Sequence, residues 1–251
     1  MAVPFRLRGL TALLFGAVFW FASASALGEG MEGAPDAAGR SDGFVRVDAL
    51  IPDVVQDIRY AGSNNFVGRA IDGYEAPVAL LTREAAEALA RVADALRPQG
   101  LYLCVFDAYR PEQAGADFAR WARDPADDRM RAVFYPSVSK RELFMRGYVA
   151  ERSSHSRGSA VDLTLVDAAG KPLDMGGAFD LFDPISAHGA KGLNGEQRAN
   201  RKLLRDEMER QGFRAYRAEW WHYTLKNEPF PDRFFSFPVR DCVYPAAISP
   251  D

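Results

Sequence analysis

Leu101-Tyr102-Leu103-Cys104-Val105-Phe106, running into Asp107-Ala108-Tyr109-Arg110, is the stretch on which the architecture turns. Six apolar residues in a row, bounded by Gly100 and Asp107, suit a buried strand that presents Asp107, Tyr109 and Arg110 at its end. Upstream, Ala85, Leu89, Val92 and Leu96 recur at helical spacing. Thr82 stands as N-cap, Glu84 in the first turn, and Pro98 and Gly100 lie beyond the end, so a helix is predicted over 82–96. Downstream, Pro111 at the first helical position starts a second helix over Glu112 to about Arg123. Ser139-Lys140-Arg141-Glu142 reads as a capping box opening a short helix that stops at Gly147. Ala160 to Val166 alternates as a strand, with Val161, Leu163 and Leu165 on the core side and Asp162 on the other, free to bind. Gln197 to Gln211 forms a helix closed by Gly212, and Phe213 to Leu225 an aromatic-rich strand region. Strands lie between helices without regular alternation. The fold class is therefore α+β, a single domain over residues 44–240 with a mainly antiparallel sheet flanked by helices.

The N-terminal stretch is of another kind. Arg6 and Arg8 precede an apolar run from Leu10 to Phe21, and Ala24-Ser25-Ala26 is a small-residue cleavage pattern, so residues 1–26 read as a signal peptide. The run is short for a bilayer span, which favours removal over an uncleaved anchor and leaves no stable membrane insertion. Residues 27–43 read as a flexible linker and 241–251 as a C-terminal tail. Lys and Arg number 31 against 34 Asp and Glu, with no basic run interleaved with aromatics, so a nucleic-acid role is not indicated. Export places Cys104 and Cys242 in an oxidising compartment; they form one disulfide, or Cys104 is a buried free thiol and Cys242 an incidental tail residue. Oligomeric state is not legible.

Of three histidines, His155 lies in Ser153-Ser154-His155-Ser156-Arg157-Gly158-Ser159-Ala160-Val161-Asp162 and His222 in Glu219-Trp220-Trp221-His222. Alone, each segment reads as an ordinary polar turn or aromatic core strand. Together they offer His155, Asp162 and His222 as three zinc ligands with a fourth position open, Glu219 as base and Arg110 as a fixed cation for developing negative charge. Glu219 and His222 are three apart, and a flat strand would point them to opposite faces. One shared site then requires a bend at Trp220-Trp221 or Glu219 outside the strand. His188 sits in a loop-like stretch and reads as surface or site-supporting. No Gly-x-Ser-x-Gly elbow accompanies Ser159, which argues against a serine nucleophile.

These two segments, with Asp107-Ala108-Tyr109-Arg110-Pro111, closely resemble the VanX-type D-alanyl-D-alanine dipeptidases. Asp57-Ile58-Arg59-Tyr60-Ala61, Asn65-Phe66-Val67-Gly68 and Asp72-Gly73-Tyr74-Glu75 look like that family's N-terminal part, and the similarity runs from about Val47 to Val239. The resemblance implies the α+β fold shared by zinc D,D-peptidases and the Hedgehog signalling domain, and one Zn2+ per chain on His155, Asp162 and His222. It makes Glu219 the catalytic base and Arg110 the transition-state cation. It also implies that Ser153 helps hold the substrate carboxylate, that Tyr74 and Asp180 lie near the substrate amino end, and that Tyr60 is a further residue near the site. The expected partner is a small dipeptide, D-Ala-D-Ala. The alternatives are a D,D-carboxypeptidase acting on peptidoglycan stems and a zinc-containing binding module. Resistance-type members work in the cytoplasm, whereas this chain reads as exported, to the periplasm, for peptidoglycan turnover or recycling.

Overall fold

The computed structural model describes residues 43–145, 148–149 and 152–241. The expected signal peptide, residues 27–42 of the linker, the helix stop at Gly147, Cys242 and the rest of the tail lie outside the described residues. The elements follow as β1 (Phe44–Arg46), α1 (Val47–Leu50), β2 (Val55–Gln56), β3 (Leu80–Thr82), α2 (Arg83–Leu96), β4 (Leu101–Asp107), α3 (Glu112–Arg123), α4 (Arg131–Phe134), α5 (Lys140–Met145), β5 (Ala160–Asp167), α6 (Gly195–Arg210), β6 (Phe213–Ala215) and β7 (His222–Leu225). No helix among the described residues is long and apolar enough to cross a membrane.

Five strands form the main sheet in the order β2-β4-β5-β7-β6, and β1 pairs with β3 apart from it. Only β2 and β4 run parallel; the other pairs are antiparallel, as the α+β reading requires. The expected strand at 101–106 is β4, extended by Asp107. On α2 the residues Ala85, Leu89, Val92 and Leu96 are all completely buried, and each large aliphatic side chain so placed contributes about 1.5–3 kcal/mol. Thr82 does precede α2, but its hydroxyl makes no cap bond. It meets Ser159 Oγ at 2.8 Å instead, tying the start of α2 to the segment that leads into β5.

Helix boundaries moved where a polar side chain outcompeted the apolar pattern. Helix α6 begins two residues before Gln197, because Asn194 and Gln197 satisfy each other's backbone N–H groups at 2.9 Å in a capping box. Pro111 is the N-cap of α3 rather than its first helical residue, with an extended ψ of 149°. At the start of α5, the Glu142 carboxylate accepts from both the N–H and the hydroxyl of Ser139, each at 2.9 Å.

The larger correction concerns β5. Its first seven residues are buried on both faces, because β4 and β7 flank it and the sheet is covered on each side. Asp162 is therefore 2 % exposed, not on an open face. A carboxylate so placed requires nearby cations or donors.

Residues 235–239 strap the far side of this region. Phe235 N–H donates to Ser156 O (2.8 Å) and Phe235 O accepts from Glu112 N–H (3.0 Å). The Tyr109 hydroxyl donates to Phe237 O (2.8 Å) while the two rings stack at 4.3 Å. Val239 N–H donates to Gly73 O (2.8 Å), and Val239 O accepts from Glu75 and Ala76. Cys104 is a buried free thiol whose pKa burial pushes up to about 11.

Candidate metal centre

The site is assembled by register. Asp162 on β5 pairs with Asp107 on one neighbouring strand and with His222 on the other, so three adjacent strands bring these residues into one row. His155 enters from a single 3-10 turn, Ser154–Arg157, immediately before β5. Ser153 Oγ accepts from His155 N–H at 3.2 Å to start the turn. Gly158 ends it at φ +79°, where a Cβ would stand 2.3 Å from the Phe44 ring. Only glycine meets both demands.

Glu219 lies outside β7, as one shared site requires. Glu219 N–H donates to Tyr216 O (3.2 Å) and His222 N–H to Glu219 O (3.4 Å), so the chain turns through Trp220 and Trp221 before the strand begins. Trp220 N–H donates to Ser186 O, which fastens the turn to a neighbouring loop. Buried Arg201 on α6 holds that loop by donating to the carbonyls of Met175, Ile185 and Ala187.

His155 Nε2, His222 Nδ1 and Asp162 Oδ1 converge. The separations are 3.1 Å between the two nitrogens, 3.2 Å from His155 Nε2 to the carboxylate and 2.9 Å from His222 Nδ1 to it. The opposite ring atoms set the tautomers. His155 Nδ1–H donates to Ala108 O at 2.6 Å, and His222 Nε2 faces the hydroxyls of Ser154 (3.2 Å) and Thr224 (3.3 Å). His155 Nε2 is thus left as a lone pair, and a donor Nε2–H on His222 leaves its Nδ1 the same. Three lone pairs aimed at one point repel unless a cation sits among them, and two imidazoles with one carboxylate are a fitting donor set for a divalent ion. Burial works to raise the Asp162 pKa, but the His155 and His222 rings hold it well below the usual carboxylate range.

Arg110 stands beside this centre. Its Nε and Nη2 donate to Asp107 Oδ2 at 2.9 and 2.8 Å, Nη2 lies 3.6 Å from Asp162 Oδ2, and the guanidinium centre is 4.9 Å from the Tyr60 ring centroid. Burial opposes its charge, but Tyr60, Asp107 and Tyr74 hold its pKa well above the ordinary value. A fixed, permanently charged guanidinium results.

A cavity of about 240 Å³ opens over these groups, lined by Tyr60, Arg110, Ser153, Asp180 and Glu219 as well as the three convergent residues. That is below the range of about 300–1,000 Å³ usual for small-molecule sites, so the cavity suits a short ligand. Asp180 adopts φ +58°, a backbone strain often retained at functional positions, and its Oδ2 accepts from the Tyr60 hydroxyl at 2.8 Å. Burial pushes the Asp180 carboxyl up to about 8, aided by the charge of Asp162. Glu219 is also pushed up to about 8, by burial first and then by Asp162 and Asp180.

Tyr74 is the one expected site residue that does not line the cavity. Its hydroxyl, buried, donates to Asp107 Oδ1 at 2.5 Å, while Arg110 donates to Oδ2 of the same carboxylate. Its hydroxyl also meets the Arg110 side chain directly, so it braces both members of the Asp107–Arg110 pair. His188 is partly buried rather than on the surface, edge-on to Tyr223 at 5.9 Å, and burial lowers its pKa to about 4. The residues that sequence reasoning left without a role are Asp107, Ser154 and Thr224, which fix the cation and the His222 ring. An acid closing a buried apolar strand three residues before an arginine was the available signal for the first.

A family model described as D-ala-D-ala dipeptidase, Peptidase_M15, matches residues 40–240. The D-alanyl-D-alanine dipeptidase of Streptomyces coelicolor is 45 % identical over 197 residues, covering 78 % of this chain and 98 % of that protein. That of Enterococcus faecium is 42 % identical over 199 residues, 79 % of this chain and 98 % of its own. The Escherichia coli protein of the same name is 32 % identical over 207 residues, 82 % and 94 %. The convergent donor set, its flanking acid and cation, and a match spanning nearly the whole length of these relatives place the chain in the Peptidase_M15 family of D-Ala-D-Ala dipeptidases.

Proposed function

We propose that this chain is a zinc dipeptidase that hydrolyses D-Ala-D-Ala to two molecules of D-alanine. The observation that carries the reading is the convergence of His155 Nε2, His222 Nδ1 and Asp162 Oδ1 under a small cavity whose walls hold Glu219 and Arg110. A zinc ion held by those three atoms would supply a Lewis acid able to acidify a water toward neutrality. Glu219 takes the proton from the attacking water and passes it to the departing amine nitrogen. A carboxyl whose pKa is pushed up to about 8 is a stronger base, once ionised, than an ordinary glutamate. Arg110, held rigid by Asp107, faces the negative charge that develops on the carbonyl oxygen, at little cost in reorganisation. Ser153 receives the substrate carboxylate, and Asp180, braced by Tyr60, receives the ammonium group. Both ends of a free dipeptide are thereby engaged, which disfavours blocked or longer peptides.

The enzyme acts in the periplasm on wall-derived or exogenous dipeptide, releasing D-alanine for reuse. What supports this location is that residues 1–39 lie outside the family match and carry the basic, apolar and small-residue order of an export signal. The decisive experiment is hydrolysis of D-Ala-D-Ala by purified mature protein, with and without chelator, beside an N-acylated peptide ending in D-Ala-D-Ala. Chelator-sensitive cleavage of the free dipeptide is expected, and Glu219→Gln should keep the metal while losing a factor of about 10²–10⁴ in kcat. Preference for the acylated peptide would overturn the dipeptidase reading, and a cytosolic protein with Met1 intact would overturn the location.

A further inference from the structure

Two arginines line the cavity, and their circumstances differ. Arg110 is committed to Asp107 and Asp162. Arg152 is exposed, stands next to Ser153 in the wall, and makes no ion pair with any carboxylate among the described residues. Its guanidinium is nonetheless placed, with its centre 4.9 Å from the Phe234 ring centroid. The acids of the cavity are influenced by the other cation, since Arg110 is among the charges that pull down the pKa of both Asp180 and Glu219. Among the described residues, the cavity therefore carries one cation without a counter-ion, on the side of Ser153. A ligand entering it with a free carboxylate would find a charged, planar donor set there beside the Ser153 hydroxyl.

We propose that Arg152 is the charge-recognition group for the free C-terminal carboxylate of the substrate, and hence a determinant that confines the enzyme to substrates ending one residue past the bond that is cut. The inference rests on the dipeptidase reading above. A guanidinium presents two parallel N–H donors to a carboxylate, a geometry that an ammonium or hydroxyl cannot supply. Because Arg152 is exposed, solvent screens the pairing, and its effect is on the order of tenfold rather than thousandfold.

The test compares D-Ala-D-Ala with its C-terminal amide, equal in length but lacking the charge. For wild type, kcat/KM should favour the acid by about tenfold or more. In Arg152→Gln the acid-to-amide ratio should fall toward one, mainly through KM for the acid, and Arg152→Lys should give an intermediate ratio. A ratio unchanged in Arg152→Gln, including the case in which both substrates decline in parallel, overturns the proposal. The same two ligands are then bound calorimetrically to Glu219→Gln protein, with and without Arg152→Gln. Closure of the affinity gap there, with wild type cutting neither compound, would preserve the carboxylate site while refuting the dipeptidase reading.

Discussion

Replacing Asp107 by asparagine probes the electrostatic support of the centre. Asp107 is completely buried and meets three donors: Arg110 Nε and Nη2 on Oδ2, and the Tyr74 hydroxyl on Oδ1. Burial pushes its pKa up, against the pull of Arg110 and His155. All three of these hydrogen-bond partners donate, which favours the ionised form against burial and the charge of Asp162. In Asp107→Asn the amide oxygen can keep Arg110 and the NH2 can turn to Tyr74, so hydrogen bonds largely survive and the charge alone is lost. Breaking a buried pair by removing one partner costs about 3–5 kcal/mol. Arg110 would keep Asp162 at 3.6 Å and the Tyr60 ring at 4.9 Å, which places the loss at the lower end, about 3 kcal/mol. In a domain of this size that is a fall of about 6–12 °C in Tm. Thermal unfolding followed by circular dichroism at saturating zinc measures it, and kcat for the dipeptide should fall at least about tenfold as Arg110 loosens. A Tm within about 2 °C of wild type would refute this account of Arg110.

Two further outcomes follow from the same geometry. Gly158→Ala should cost about 2–5 kcal/mol, summing the left-handed backbone penalty and the clash with Phe44, and should weaken zinc binding because the turn carrying His155 must shift. A denaturant midpoint equivalent to less than about 1 kcal/mol would contradict it. In the metal-free protein Glu219 and Asp180, both raised to about 8, hold protons at neutral pH that the unfolded chain has released. Metal-free stability therefore falls as pH rises from about 4.5 to about 8, and zinc binding at pH 7 expels protons, tightening with pH up to about 8. Zinc titrations in two buffers of different ionisation enthalpy should register that release, and none detected would refute the burial argument.

The elements with strong periodicity or a long apolar run, α2 and β4, were legible because their patterns answer to burial alone, and α3 was legible from the proline at its start. The required break between Glu219 and His222 was legible too, since a period of two forbids a shared site on a flat strand. Asp162 faces the site, as the alternation required, but its deep burial was not legible, for a physical reason. Alternation on β5 marks a half-buried strand, yet its polar face is covered by the site itself, a condition set by neighbouring strands remote in sequence. Thr82 carried a cap signature, but a tertiary partner, Ser159, took its hydroxyl. Tyr74 came through resemblance as a substrate neighbour, and its engagement by Asp107 and Arg110 depends on the register of β4 against β5. Asn194 was overlooked because the apolar pattern of α6 starts later than its cap.

The strap at 235–239 bears on when the centre can come into being. His155 and His222 are separated by 67 residues, and Tyr109 reaches Phe237 across 128. Closing such loops is entropically costly and slow, and nothing local rewards it in advance. A growing chain that has passed His155 holds one imidazole and one carboxylate with no second ring to join them. An ion held by all three residues would therefore bind only after synthesis has run beyond His222, and the hydrogen bond from Phe235 to Ser156 that fastens the turn of His155 would form later still.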